Sequence, residues 1–130
     1  MKKILITIGI ALCLNTKAQT WVTIPDANFV TYLQGLIPAA MSGNQLNTSS
    51  TLVTTTTHTI NVAGLGVSNL TGVQYFISLT YLRCSGNYSS AGLQTALPNS
   101  ITYLKCDNSQ LFSLPALPTS LITLECFLMN

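Results

Sequence analysis

Three cysteines that end three copies of one hexapeptide are the residues of this 130-residue sequence whose spacing first suggests chemistry. The copies read LTYLRC, ITYLKC and LITLEC, and they end at Cys84, Cys106 and Cys126, at nearly equal intervals. No C-x-x-C pair and no zinc-type spacing occurs in the sequence. Because cysteine is small and apolar enough to fill a core position, we interpret the three as buried free thiols. A disulfide between neighbouring copies and a thiolate metal site are the alternatives.

The groups that catalysis needs are not clustered in the sequence. His58 is the single histidine, and we expect it to face inward or towards the N-terminal end of the repeats. A triad would need an orienting acid beside it, but Asp26 belongs to the predicted N-terminal cap and Asp107 to the outer face two repeats away. G-x-S-x-G, paired carboxylates and a Gly-rich phosphate loop do not occur. We therefore predict no enzyme, no catalytic residue, no cofactor and no bound metal.

The cysteines belong to a repeat that must position them. Apolar residues recur at every third position from Val67 to Leu82, and Ile60-x-Val62 precedes Leu82-x-Cys84 by the same interval that separates Cys84 from Cys106. A self-similar unit of about 20 residues is typical of a solenoid, in which each unit buries its apolar side by stacking on the next. The pattern predicts one short strand per unit, with four strands stacked in parallel.

Side chains alternate across a strand, so the repeat also predicts an outer face. The aliphatic and cysteine positions point inward, and the residues between them point outward on the concave side. We predict as candidate binding residues Asn61, Tyr81, Arg83, Tyr103, Lys105, Asp107, Thr123 and Glu125. Tyrosine and arginine are favoured at interfaces. The alternative is that the tyrosines only stack across strands and the charges only solvate the face.

A short cap is predicted before the repeats, over residues 19–50. Trp21 to Ile24 has the composition of an extended segment, Asp26 is a good N-cap, and the apolar spacing predicts a helix from Ala27 to about Leu36. The stretch from Ala39 to Ser50 is small and polar and is predicted to be a loop. The β-branched run from Thr51 to Thr57 is predicted to be extended and to lead into the first strand.

The segment 1–18 has the composition of a secretory signal peptide. Lys2 and Lys3 precede an apolar run from Ile4 to Leu14, and Ala18 suits the cleavage position. The run is too short to span a bilayer, so we predict no membrane span after its removal and a secreted or cell-surface location. The formal charge of +2 then becomes −1, from two cations and three anions. With two cations against three anions, no basic excess remains to attract nucleic acid.

The stretch INVAGLGVSNLTGVQYFISLTYLRCSGN resembles a leucine-rich repeat of the internalin type, with Asn87 at the family's asparagine position. The later units, LQTALPNSITYLKCDNSQL and LFSLPALPTSLITLEC, resemble the shorter bacterial repeats that contain L-P-x-L-P. The entry WVTIPDANFVTYL is similar to the N-terminal region of secreted bacterial leucine-rich repeat proteins. The sequence departs from the family pattern where Leu65, Ser109 and Met129 replace the asparagine.

The resemblance implies a fold and a function. The expected fold is a leucine-rich repeat solenoid of the α/β horseshoe class, with about four coils over residues 51–130 and no C-terminal cap. Pro98, Pro115 and Pro118 predict a mostly non-helical convex side. The implied function is non-enzymatic recognition or adhesion, with protein or cell-surface glycan bound at the concave face. The alternative is an N-terminal fragment of a longer surface protein with only a structural role.

Overall fold

Two sheets of different kinds share one hydrophobic core. The computed structural model describes residues 18–87, 93, 95–109 and 113–127. The predicted signal peptide, apart from Ala18, lies outside the described residues. The core cluster joins apolar side chains of the N-terminal region, such as Phe29 and Leu46, to those of the repeats, such as Leu82 and Leu104.

The predicted N-terminal helix is confirmed. Helix α1 spans Ala27–Leu36, and the Asp26 side chain caps it by accepting a 2.9 Å hydrogen bond from the Phe29 backbone N–H. Phe29 and Leu33, one helical turn apart, lie on the face that is fully buried. The helix ends immediately before Ile37, and Pro38 begins a short 3₁₀ turn over Pro38–Ala40. The capping residue and the apolar spacing therefore determine both the position and the orientation of this helix.

An antiparallel sheet forms where the sequence predicted a loop. Strands β1 (Trp21–Thr23), β2 (Met41–Ser42) and β3 (Gln45–Asn47) pair in the order β1-β3-β2. Positions 43 and 44 form the tight turn between β2 and β3, and Gly43 has φ of 57°. Gly-Asn between strand residues is a hairpin signal, because such turns need positive φ. The loop prediction for this stretch was wrong because a small, polar composition does not exclude a hairpin.

The threonine-rich stretch is helical rather than extended. Residues Leu52–Thr56 form one π-type turn. The hydroxyls of Thr54, Thr55 and Thr57 donate to backbone carbonyls one turn earlier, at 3.2, 2.9 and 2.6 Å. Such local bonds offer the backbone an alternative to a strand ladder and override the β propensity of threonine. The predicted extended segment was therefore wrong here.

The repeats form a four-stranded parallel sheet. Strands β4 (Thr59–Asn61), β5 (Tyr81–Arg83), β6 (Tyr103–Lys105) and β7 (Thr123–Glu125) follow one another in sequence order. The middle residue of each of the first three strands points into the core: Ile60, Leu82 and Leu104 are all 0% exposed. Leu124, on the edge strand β7, is 43% exposed.

The predicted solenoid is wrong as a fold class. The structure is small and compact, with a three-stranded antiparallel sheet beside a separate four-stranded parallel sheet. The repeat spacing correctly indicates which residues pair in the parallel sheet. It carries no information about the first third of the chain, where α1 and the β2–β3 hairpin form a non-repeating part of the core. The candidate face is therefore one face of a short sheet, not the concave side of a solenoid.

Gly72 is the position at which a methyl group is expected to disturb the core. It has φ of 115°, and an added Cβ would lie 2.3 Å from the Ile24 Cδ1 atom. Because both the backbone strain and the contact oppose a side chain, we expect Gly72→Ala to lower the free energy of unfolding by about 2 kcal/mol. Urea denaturation monitored by circular dichroism measures the change.

Gly35 in α1 supplies the matched control. An added Cβ there meets nothing within 4 Å, and the residue lies within the helix. Gly35→Ala is expected to stabilise by about 0.5–1 kcal/mol through helix propensity. Equal effects of the two substitutions, or no effect of Gly72→Ala, would contradict the assigned backbone constraint.

Candidate binding face

All eight candidate residues lie on one face of the parallel sheet or directly beside it. Strand register aligns Thr59, Tyr81, Tyr103 and Thr123 in one row, and Asn61, Arg83, Lys105 and Glu125 in the next. The rows alternate with the inward-pointing leucine positions, as the period of two requires. Asp107 follows shortly after β6 and reaches the same face. We call these residues, together with Ser85, the outer face.

The centre of the outer face is a pair of stacked tyrosines. The ring centroids of Tyr81 and Tyr103 are 4.7 Å apart, and the ring planes differ by 6°. The stack exists because the two residues are register partners on neighbouring parallel strands. Tyr103 occupies one ring face of Tyr81, whereas the other ring face is directed towards β4, where the register partner is the small Thr59. In this row of the sheet, two stacked aromatic rings are therefore followed by the smaller side chain of Thr59.

An ionic network covers β6 and β7. The Lys105 ammonium donates to the Glu125 carboxylate and also lies 3.1 Å from the Asp107 Oδ2 atom. The Tyr103 hydroxyl donates to the Glu125 Oε1 atom at 2.6 Å, and the Phe127 backbone N–H donates to the Asp107 Oδ1 atom at 3.1 Å. The charges on this half of the face are therefore paired with one another.

The network moves the pKa values of its members in the directions that these bonds require. The Lys105 hydrogen bond, followed by that of Tyr103, lowers the pKa of the Glu125 carboxyl. The Phe127 N–H, followed by Lys105, lowers the pKa of the Asp107 carboxyl. The hydrogen bond that Tyr103 donates to Glu125 raises the pKa of the Tyr103 hydroxyl. The hydrogen bonds that Lys105 donates to Glu125 and Asp107 raise the pKa of the Lys105 ammonium. At neutral pH all four groups keep the protonation states that hold the network together.

Arg83 is placed differently from Lys105. Its Nε atom is buried and has no hydrogen-bond partner among the described residues, and the same holds for the Oγ atom of neighbouring Ser85, a residue that is 9% exposed. Arg83 acts on the pKa of Asp107 only through its charge. A buried donor without a partner is uncommon in a folded protein. This half of the face therefore has unused hydrogen-bonding capacity beside Tyr81.

Sequence reasoning did not select Ser85 or Tyr32 as site residues. Ser85 occupies the position in its repeat that Asp107 occupies in the next, so the repeat places it in an outward column although it was not chosen as a binding residue. The Tyr32 hydroxyl, on α1, accepts a 3.0 Å hydrogen bond from the Asn61 backbone N–H. The bond covers the free edge of β4 at this point. No regular spacing in the sequence connects Tyr32 with Asn61, which lie 29 positions apart.

Two predicted site residues are peripheral. The Asn61 Oδ1 atom accepts from the Ala63 backbone N–H at 3.2 Å, which orients the amide along its own strand. Thr123 is half-buried on β7, next to Tyr103 in the register. The structure thus brings together the two tyrosines, Lys105, Asp107 and Glu125 by direct contact. Arg83 adjoins them, and Asn61 and Thr123 flank them.

The cysteines lie behind this face. All three are free thiols; Cys84 and Cys106 are 4% and 1% exposed, and Cys126 is half-buried. Burial raises the pKa of the Cys84 thiol to about 12, and the thiol donates to the Lys105 carbonyl at 3.6 Å. Within the described ranges, no group of three or more His, Cys, Asp or Glu residues is arranged to hold a metal ion.

His58 lies at the N-terminal end of the repeats, the second of the two expected positions, and does not face inward. It is exposed, and its Nδ1 atom lies 2.8 Å from the Ser78 carbonyl oxygen, to which it donates in the tautomer protonated at that nitrogen. With Thr57 and Leu36 it lines a shallow cleft of about 370 Å³ between α1 and β4. The cleft walls are mainly threonine and aliphatic side chains, so His58 has no acidic partner there.

Comparison with known proteins finds no matching family model, no matching curated protein and no matching solved structure. No family is assigned on this basis, and the resemblance to leucine-rich repeat proteins stays a prediction from the sequence. Among the described residues, no helix is both long enough and apolar enough to cross a membrane.

Proposed function

We propose that this chain is an exported, non-enzymatic recognition module that binds protein or cell-surface glycan through the outer face. The observation that carries the proposal is the half of that face on β5. There Tyr81 stacks on Tyr103, and on the same strand the Arg83 Nε atom, like the Ser85 hydroxyl shortly after it, has no partner among the described residues. Tyrosine offers a rigid apolar surface with a polar tip, and arginine offers donors in a fixed geometry.

The ionic network supports the same proposal in a different way. Because Lys105 is paired with Glu125 and Asp107, β6 and β7 form a pre-ordered border rather than a set of mobile charges. A pre-ordered surface loses less conformational entropy on binding. The Arg83 Nε and Ser85 Oγ atoms are buried in the free chain, so a ligand with hydroxyl or carbonyl acceptors would complete their hydrogen bonds once the Arg83 side chain turns towards it. The secreted or cell-surface location belongs to the same proposal and depends on the predicted signal peptide.

Binding is tested with the purified chain on a printed glycan array and on a panel of immobilised extracellular-matrix proteins. We expect the double variant Tyr81→Ala/Arg83→Ala to bind at least about tenfold more weakly than the wild-type chain, because both anchor groups are removed. Biolayer interferometry on the strongest probe measures the dissociation constants. Unchanged circular dichroism shows that the variant is folded.

The control is Ile77→Ala, which removes a 62% exposed apolar side chain that lies outside the strands. It is expected to leave affinity unchanged. If the double variant and this control bind equally well, the outer face is not the site. If the wild-type chain binds neither glycans nor proteins, the result contradicts the proposal and favours the structural alternative.

A further inference from the structure

Cys106 and Cys126 are placed side by side by the parallel register. Lys105 pairs with Glu125, and the Cys106 backbone N–H donates to the Glu125 carbonyl at 2.7 Å. Neighbouring strands are about 4.8 Å apart, which falls in the range of Cα separations that a disulfide spans. Both side chains point to the inner side of the sheet, because each follows an outward-pointing residue of a register pair, Lys105 and Glu125. The backbone separation of the pair therefore suits a disulfide.

Cys84 is also next to Cys106 in the register, but its environment differs. Its thiol donates to the Lys105 carbonyl, and the residue is 4% exposed. Cys126, by contrast, is half-buried beside the edge strand β7. Cys126 is therefore the thiol more accessible to an oxidant from solvent, and its neighbour in the strand register is Cys106.

We propose that Cys106 and Cys126 form a reversible disulfide that joins β6 to β7, with Cys84 left as a buried free thiol. The oxidant is a disulfide, either a small molecule such as oxidised glutathione or a thiol–disulfide oxidoreductase. This proposal is independent of ligand binding at the outer face.

The reaction is two successive exchanges. The Cys126 thiolate attacks one sulfur of oxidised glutathione, whose S–S bond breaks and releases one glutathione thiolate. Cys106 then loses its proton to solvent, and its thiolate attacks the Cys126 sulfur, which releases the second glutathione. Two cysteines lose two electrons and two protons, and one glutathione disulfide becomes two thiols. Because burial and the contact with Cys126 raise the pKa of Cys106, the second step is expected to accelerate as pH rises.

The bond would stabilise the most exposed strand of the parallel sheet. Leu124 and Phe127, which lie on either side of Cys126 in the sequence, are 43% and 71% exposed, so β7 has the least apolar cover of the four strands. A covalent link to β6 closes a loop of about 20 residues and restricts the unfolded chain. We expect the oxidised protein to melt about 10 °C above the reduced protein.

The tryptic map of the chain separates the possible bonds. Cleavage after Arg83 and Lys105 places Cys84 in a peptide of residues 84–105, and Cys106 and Cys126 together in residues 106–130. The folded, reduced full chain is incubated with oxidised glutathione and then alkylated under denaturing conditions. It is digested with trypsin, and the peptide masses are measured by mass spectrometry. We expect residues 84–105 to carry one alkyl group. Residues 106–130 are expected to carry none and to gain two after dithiothreitol and a second alkylation.

The variants make the assignment specific. Cys84→Ser is expected to oxidise like the wild-type chain, and Cys126→Ser is expected to form no protein disulfide. The proposal is overturned if residues 84–105 become covalently joined to residues 106–130, or if Cys84, Cys106 and Cys126 all remain alkylatable. It is also overturned if Cys126 keeps a glutathione adduct without forming the bond. Because Cys126 is half-buried, serine at this position is compatible with folding, and circular dichroism checks that it folds.

Discussion

Replacing Asp26 with alanine is expected to lower the free energy of unfolding by about 4 kcal/mol. This carboxylate, 8% exposed, caps α1 through the Phe29 N–H and also accepts bonds from the Ser68 N–H, the Ser68 hydroxyl and the Asn69 N–H. The cap contributes about 1 kcal/mol, and each of the three further bonds contributes a similar amount. The loss is large because one side chain joins the helix to a loop that lies 42 positions later in the sequence.

Urea denaturation at pH 7 measures this loss, with two other carboxylate variants for comparison. Asp26→Asn keeps an acceptor for the Phe29 N–H but turns an amide donor towards Ser68, so we expect about half of the loss. Asp107→Ala, on the solvated outer face, is expected to change the midpoint only slightly. An Asp26→Ala midpoint as close to the wild type as that of Asp107→Ala would contradict the assigned role.

The same carboxylate predicts a loss of stability in acid. Burial alone would raise the pKa of Asp26, but the hydrogen bonds from Phe29, Ser68 and Asn69 together hold it below its ordinary value of 3.8. Since the folded chain then binds this proton less readily than the unfolded chain, the stabilisation is complete above the unfolded pKa. It is lost as pH falls through the lower folded pKa. The fall in unfolding free energy between pH 6 and pH 2 should be smaller for Asp26→Asn than for the wild type.

Replacing Asn87 with alanine is expected to cost about 3 kcal/mol. The Asn87 side chain is 4% exposed and makes three hydrogen bonds with backbone groups that follow strands β4 and β5. Its Oδ1 atom accepts from the Val67 N–H at 3.1 Å, and its Nδ2 atom donates to the carbonyls of Val62 and Cys84 at 3.0 and 2.9 Å. Alanine leaves the Val67 N–H buried without its partner, which costs more than the loss of an exposed bond.

Ser109 and Asn99 provide the comparison for this substitution. The Ser109 hydroxyl donates to the Cys84 carbonyl at 2.8 Å, so Ser109→Ala removes one such bond and is expected to cost about 1 kcal/mol. Asn99 is exposed, and Asn99→Ala should leave the urea midpoint unchanged. If Asn87→Ala unfolds at the same urea concentration as Asn99→Ala, the three bonds do not contribute as assigned.

The candidate face was predictable because two periods combine in the repeat. The interval between successive copies fixes which strands are neighbours, and the alternation within each strand fixes which side chains share a face. Those two facts place Tyr81 opposite Tyr103 and Lys105 opposite Glu125 without any knowledge of the rest of the chain. They do not indicate whether the charges are free. The structure pairs Lys105 twice, and that result depends on side-chain rotamers and on the turn after β6.

Average propensities failed to predict the backbone in two places. The threonines after Ser50 favour a strand by composition, but their hydroxyls donate to backbone carbonyls four residues earlier. The Gly43-Asn44 pair lies in a stretch predicted to be a loop, although positive φ at glycine closes a tight hairpin there. In both cases a short-range interaction, rather than composition, decided the backbone path.

The sequence by itself determined the helix cap, the four strands of the parallel sheet and their register. It also determined the outward row that contains Arg83, Lys105 and Glu125, each of which directly precedes a cysteine. These depend on interactions between residues whose spacing is regular, so the pattern contains them. Only the tertiary structure decided that the chain forms two unlike sheets around one core. It also decided that Asp26 holds Ser68, that Tyr32 covers β4, and that the Cys126 thiol is half-buried beside Cys106. Those contacts join segments with no shared period, and packing alone brings them together.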